Sequence, residues 1–243
     1  MMTQAKGISI VFENEDFVAV NKAAGMLTIP DRHNETQLSQ YKILLQLYGK
    51  IFIVHRLDRD TSGLVLFAKN EASHKYLSQL FEKRNIEKIY QGIIIGSLPT
   101  EAGTITEPIA EHPVLKGVMM VSKKGKPSLT DYKVLEDYGI YSLVKFNIHS
   151  GRTHQIRVHM KFAGHPIACD TVYGDGKPIL LSSFKKKFKL SQHDDEERPL
   201  INRLALHSHQ LHFKDATGNI HSLEAPLPKD MKAVLQQLKK NRG

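Results

Sequence analysis

The stretch VHRLDRDTSGLVLFAKN, residues 54–70, sets a dense run of charge directly against an apolar run. Asp58 and Asp60 alternate with Arg56 and Arg59 behind His55. Thr61-Ser62-Gly63 follows, and then Leu64-Val65-Leu66-Phe67-Ala68 without a break. A short apolar run bounded by turn residues reads as a strand destined for the core. The charged residues therefore fall on a loop feeding that strand, a place where reactive groups are mounted over a rigid sheet. Two positions apart in an extended segment, Asp58 and Asp60 share a face. A carboxylate there can serve as nucleophile, base, metal ligand or turn cap paired with the neighbouring arginines. The residues alone leave these open.

The flanking sequence sets the fold class. Upstream, ISIVF (8–12) and FVAVN (17–21) read as short strands around the acidic turn 13–16, and NKAAGM turns at Gly25 ahead of Leu27–Ile29. Leu38, Tyr41, Leu44, Leu45 and Tyr48 recur at helical spacing over 37–48. Ala72, Tyr76, Leu77, Leu80 and Phe81 do so over 71–83, with the apolar run 51–54 between. KIYQGIIIGSL (88–98) has the β-branched richness of a buried strand, ended by Gly96 and Pro99. Strands are expected at 117–122, 129–136 and 140–148, then a helix over 152–164 capped by Thr153 and stopped by Gly164. Strands near 204–213 and 218–223 precede a last helix that starts near Pro228. Strands outnumber helices without regular alternation. That predicts an α+β fold with a mixed, mostly antiparallel central sheet flanked by helices, rather than a doubly wound one.

Composition narrows the function classes. The 243 residues suffice for a sizeable core in one or two domains. Lys and Arg number 34 against 25 Asp and Glu, leaving a net charge of +9 and a pI near 9.4. Such a surplus suits a polyanionic partner, although a merely soluble basic protein has it too. The lone Cys169 rules out an intrachain disulfide and a multi-cysteine metal site. With no secretory or transit-type pattern in MMTQAKGISIVFENEDF, it points to the cytoplasm. No tract is long enough to span a membrane. The 13 histidines show no H-E-x-x-H pattern, so no metal site is expected. KKGKPS (123–128) lacks the first glycine of a phosphate loop, and HRLD lacks the glycine-rich loop and D-F-G segment that would accompany a kinase catalytic loop. Only 181–199 breaks composition: Lys185, Lys186, Lys187 and Lys189 give way to Asp194, Asp195, Glu196 and Glu197. This reads as a solvated insertion or as a basic arm for phosphates.

HRLDRDTSG (55–63) resembles the signature of RluA-type RNA pseudouridine synthases. GRTHQIRVHMKFAGHPIACDTVYG (151–174) resembles that family's later motif, and FENEDFVAVNKAAGM (12–26) its N-terminal strand and turn. KIYQG (88–92) is similar to its tyrosine motif and RLALHSHQLHF (203–213) to its closing strand. These segments stand in family order and cover most of residues 8–228. Ala23 stands where the family usually has proline and Cys169 where it often has glycine, departures that touch turn geometry more than chemistry. The resemblance implies a single catalytic domain over 1–243, beginning without the small RNA-binding domain many relatives carry, with the charged insertion at about 181–199.

The activity implied is isomerisation of specific uridines in structured RNA, ribosomal or transfer, to pseudouridine. It needs no cofactor and no metal, and a monomer is expected. By motif match Asp58, not Asp60, is the catalytic carboxylate. Arg157, on the expected helix, is its ion-pair partner, since a carboxylate removed from water needs a cation to hold its charge. Tyr90 matches the tyrosine packed against the target base, and Leu204 an apolar residue lining the same pocket. Arg56 would fill the space left by the flipped nucleotide. His55, Arg59, Thr61, Arg152 and Gln155 complete the substrate-side set, with His55 also suited to a structural place. The competing reading is a non-catalytic RNA-binding or ribosome-assembly protein that keeps the fold. The intact set Asp58, Tyr90 and Arg157 favours the enzyme. A glycoside hydrolase shares carboxylate chemistry, but a sugar cleft is usually rich in aromatics and this chain has no tryptophan.

Overall fold

The computed structural model describes residues 8–31, 34, 36–190 and 195–241. In chain order its elements are β1 (Ile10–Glu13), β2 (Phe17–Lys22), α1 (Gln40–Tyr48), β3 (Phe52–Ile53), β4 (Ser62–Ala68), α2 (Glu71–Glu82) and β5 (Glu87–Ile95). Then come β6 (Ala102–Ile105), β7 (Ile109–Glu111), β8 (Met119–Val121), β9 (Thr130–Asp137), β10 (Tyr141–Ile148) and α3 (Gln155–Phe162). A short 3-10 turn at Leu181–Ser183, β11 (Leu206–Lys214), β12 (Ile220–Glu224) and α4 (Lys229–Lys240) complete the chain. Strand pairing is mixed and mostly antiparallel, with helices alongside, as the sequence predicts.

The chain divides into two units, the first comprising residues 1–90 with 207–226. Here β2 runs antiparallel to β4 from Phe17↔Ala68 to Lys22↔Gly63, and β1 lies antiparallel to β2. β11 runs parallel to the start of β4, pairing His207↔Ser62 and Ser208↔Gly63, and β12 returns along β11. β3 pairs the far end of β4 at Phe52↔Ala68. All seven β4 residues are buried, which explains why the run carries no polar alternation. Leu64, Leu66 and Ala68 join Phe17, Leu77, Leu80, Leu211 and Phe213 in one core. Asn70 caps α2 by accepting from the Ser73 N–H at 2.9 Å. The Ser73 hydroxyl in turn donates to Asp16 in the acidic turn at 2.6 Å.

One position in this unit tolerates only glycine. Gly63 has φ +115°, and a Cβ there would lie 2.1 Å from the Ser208 carbonyl oxygen. The parallel pairing of β4 with β11 depends on that approach.

The second unit comprises residues 91–206 with 227–243. β9 and β10 form a long antiparallel hairpin, β6 pairs the other edge of β9, and β7 and β8 form a separate two-stranded hairpin. Neither β6 nor β7 was expected: one carries Gly103 in four residues and the other is three residues long, too little pattern to read. In α4, Met231, Val234 and Leu238 are buried, and Arg203 forks onto Asp230 at its first turn at 2.7 and 2.6 Å. Thr153 does not cap α3. That helix starts at Gln155 after His154, whose φ of +56° and lack of a side-chain cap bond mark an entry made by tertiary contacts. Gly164, with φ +81°, does follow its end. In the charged insertion Lys185, Lys186, Lys187 and Lys189 are exposed, and the Ser182 N–H donates to Glu197 at 2.9 Å. Residues 191–194, including Asp194, lie outside the described residues, as do residues 1–7 of the expected leaderless N-terminus.

Gly63→Ala should cost about 3 kcal/mol or more in urea unfolding, because backbone must move. Gly218→Ala, also at positive φ (+89°) but with open space around the site, should cost about 1 kcal/mol. Equal costs for the two would contradict the close approach.

Candidate active site

Between β3 and β4 the chain has no strand or helix to satisfy its backbone, and neighbouring segments of the first unit do so instead. The Thr28 hydroxyl accepts from the Leu57 N–H at 3.2 Å and donates to the Leu57 carbonyl at 3.1 Å. The Arg59 carbonyl accepts from Lys22 Nζ at 2.8 Å and from the Gly25 N–H at 2.9 Å. The Thr61 N–H closes a turn on the Asp58 carbonyl at 3.2 Å. Asp58 is thus flanked on both sides by fixed backbone. Lys22, fully buried, also donates to the carbonyls of Ala23 and Met26, so it ties the Gly25 turn to the loop. Neither Lys22 nor Thr28 stood out in sequence: a lysine ending an apolar strand reads as its solvated terminus.

Other residues of the opening motif take distinct places. His55 points inward: Nε2 accepts from the Leu66 N–H at 2.9 Å and the ring stacks on Phe81 at 4.2 Å. Burial, with Lys88 nearby, pushes its pKa down to about 3, so the ring is neutral and structural. Arg56, Arg59 and Asp60 are exposed, and Arg59 Nε donates to the Gly25 carbonyl at 3.2 Å. Thr61 is buried, and among the described residues its hydroxyl meets no hydrogen-bonding partner. Ser62 is fixed by His207. That ring's Nε2 donates to the Ala225 carbonyl at 3.1 Å, and its Nδ1 lies 2.9 Å from the Ser62 hydroxyl.

Tyr90, at the point where β5 leaves the first unit, is buried. Burial holds its phenol well above the ordinary range, Ser208 opposes that, and the negative charge of Asp58 adds to it. Tyr90 therefore lies within electrostatic range of Asp58 and beside Ser208. Ser208 was missed, because a serine inside a strand carries no signal of its own.

In the second unit α3 is buried along its first six residues, so Arg157 is no surface arginine. It forks onto Asp170, Nε to Oδ2 at 2.7 Å and Nη2 to Oδ1 at 2.8 Å, and its guanidinium lies over the Tyr173 ring at 4.9 Å. Asp170 also accepts from the N–H groups of Val172 and Tyr173. Burial alone would raise its pKa, but the Arg157 bonds and charge outweigh it and hold the carboxyl below the usual range. Cys169 before it has φ +60°, a conformation that suits glycine better, and burial pushes its thiol up to about 11. Gln155 is buried, and its amide is fully used. Oε1 accepts from Ser150 and the Arg152 N–H, while Nε2 donates to the Leu129 carbonyl and Thr130. It anchors the helix start and has no donor or acceptor left for RNA. Arg152 is part-exposed, and Leu204 is buried beside Ala205, whose N–H donates to the Ala168 carbonyl at 3.1 Å.

The model of the RNA pseudouridylate synthase family matches residues 16–162. An "Uncharacterized RNA pseudouridine synthase" of Chlorobaculum parvum is 38% identical, over 96% of this chain and 74% of that protein. "Ribosomal large subunit pseudouridine synthase D" of Vibrio parahaemolyticus is 33% identical, over 96% and 71% respectively. Among solved structures, human RNA Pseudouridylate Synthase Domain Containing 1 superposes with a TM-score of 0.70 at 26% identity, over 98% of each chain. The chain belongs to the RNA pseudouridylate synthase family and is an isomerase acting on RNA.

Because the folded pKa of Asp170 lies below its unfolded value of about 3.9, its stabilisation is present above that pH and is lost as pH falls through the folded value. Asp170→Asn should cost about 3–5 kcal/mol at neutral pH. Its thermal stability should also fall less steeply than wild type on acidification. Parallel pH curves would contradict the fork.

Proposed function

We propose that this enzyme isomerises specific uridines of structured RNA, large-subunit ribosomal RNA first among them, and that Asp58 is the catalytic carboxylate. The observation that carries the reading is the mount of Asp58: backbone fixed on both sides of it, beside a buried neutral tyrosine, within the motif shared with the family. The ribosomal substrate is supported by the printed names of relatives such as that of Vibrio parahaemolyticus.

The chemistry follows from what the residues can supply. The target nucleotide leaves the stack at a cost of a few kcal/mol, with Arg56, exposed at the head of the loop, taking its place. As the bond from ribose C1′ to uracil N1 breaks, an Asp58 oxygen stabilises or captures the cationic sugar, as carboxylates do in glycoside cleavage. The uracil turns, C5 bonds to C1′, the C5 proton departs and N1 gains one. The product is an isomer, so neither electrons nor a donor group are consumed. Tyr90 enters as a neutral phenol, offering a ring face and an O–H donor. The buried Thr61 hydroxyl is available for a substrate hydrogen bond that would relieve its unpaired state. By motif match Arg157 is the arginine of the catalytic set, and within its own unit α3 aims it and Asp170 locks it. Leu204 is the apolar lining, Arg59 and Arg152 face phosphates, and His55 and Gln155 act by holding the backbone. A monomer working in the cytoplasm completes the reading; among the described residues no helix is long and apolar enough to cross a membrane.

Asp58→Asn should reduce pseudouridine formation in ribosomal RNA by at least about 10⁴-fold, while RNA affinity stays within a few-fold. Pseudouridine mapping and filter binding check the two halves. Product at the wild-type rate would remove Asp58 from the mechanism.

A further inference from the structure

The segment KKGKPS, which fails as a phosphate loop, forms one wall of an open cleft of about 450 Å³ that lies entirely within the second unit. Part-buried Ala110 and Met119 give it an apolar floor, and Lys124, Lys126 and Arg152 also line it. The wall is rigid. Ile109 and Lys126 exchange both backbone hydrogen bonds, at 3.0 and 2.8 Å, and a Cβ on Gly125 would lie 2.5 Å from the Ile109 backbone. Arg152 is steadied from below, its Nε donating to the Pro127 carbonyl at 3.3 Å. The single acid in the lining, Glu111, has a carboxylate oxygen accepting the Gly117 N–H at 3.3 Å.

We propose that this cleft is an RNA subsite: the basic side chains anchor a backbone phosphate and the apolar floor takes the base of a nucleotide other than the one isomerised. The inference rests on the reading of the chain as an enzyme of structured RNA. Three features select this ligand. The volume falls in the range of about 300–1,000 Å³ typical of small-ligand sites, which suits one nucleotide. Cations converging over an apolar surface match a charged backbone bearing a flat base, and such contacts position RNA without reading its sequence. An extended acidic peptide is a poorer fit, because Ile109 is already paired on both sides, to Val121 and to Lys126, and offers it no strand edge.

The test is binding of a labelled oligouridylate to the full chain as a function of salt. Lys124→Glu/Lys126→Glu should weaken binding about tenfold or more and reduce the slope of log affinity against log salt by about 0.7, the value for one single-strand phosphate contact. The control Lys239→Glu/Lys240→Glu, on exposed lysines ending α4, makes the same change in net charge and should have little effect. Unchanged affinity and slope in a folded cleft variant would overturn the proposal. So would an equal loss in the control, since net charge alone would then explain it. Asp58→Asn should bind the oligouridylate like wild type. If it also kept full isomerase activity the catalytic reading would fail while the cleft stood, so the two failures are distinguishable.

Discussion

The loop that carries Asp58 has no ladder of its own, so its backbone must be held by whatever surrounds it. Here three partners do this. One threonine hydroxyl satisfies both backbone groups of Leu57, a buried lysine and the Gly25 amide share the Arg59 carbonyl, and the loop closes on itself from Thr61 to Asp58. Behind the loop, Gly63 lets β11 approach β4 more closely than any side chain would allow. The apolar strand is the stiff support, and the polar contacts transmit its stiffness to Asp58.

The same economy recurs elsewhere in the two units. Polar residues that sequence alone would place in solvent are buried with their hydrogen bonds filled: Lys22 by carbonyls, His207 by Ser62 and Ala225, His159 by Thr130 and the Glu107 carbonyl, and Gln155 on all four counts. An unfilled buried donor costs about 1–3 kcal/mol, so these groups specify one arrangement of the segments they join. Arg157 and Asp170 extend the principle to charge. A forked pair on a buried helix fixes where a guanidinium sits, at the expense of a left-handed backbone at Cys169 that costs roughly 1–2 kcal/mol.

Much of this was legible in the sequence where periodicity or turn chemistry spoke. The run Leu64–Ala68 announced a fully buried strand, and the helical stripes at 37–48 and 71–83 gave α1 and α2 to within a few residues. The position of Cys169, where relatives often carry glycine, foreshadowed its positive φ. The start of α3 was misread because Thr153 has the chemistry of a cap, whereas the helix is entered through a left-handed His154 and anchored by Gln155. Asp170 lay inside a recognised motif, yet its pairing with Arg157 spans 13 positions and has no local period to betray it. Thr28 and Leu57 lie 29 positions apart, for the same reason invisible until the chain is folded.

The proposed catalytic role of Asp58 requires that its loop be held, and Thr28 tests this without touching the carboxylate. Single-turnover pseudouridine formation should be compared for wild type, Thr28→Ser and Thr28→Val at saturating RNA. With the hydroxyl kept, the serine variant should react within a few-fold of wild type. The valine variant, of the same shape but unable to hold Leu57, should lose about 10–100-fold in rate with RNA affinity intact. A valine variant as fast as wild type would contradict the claim.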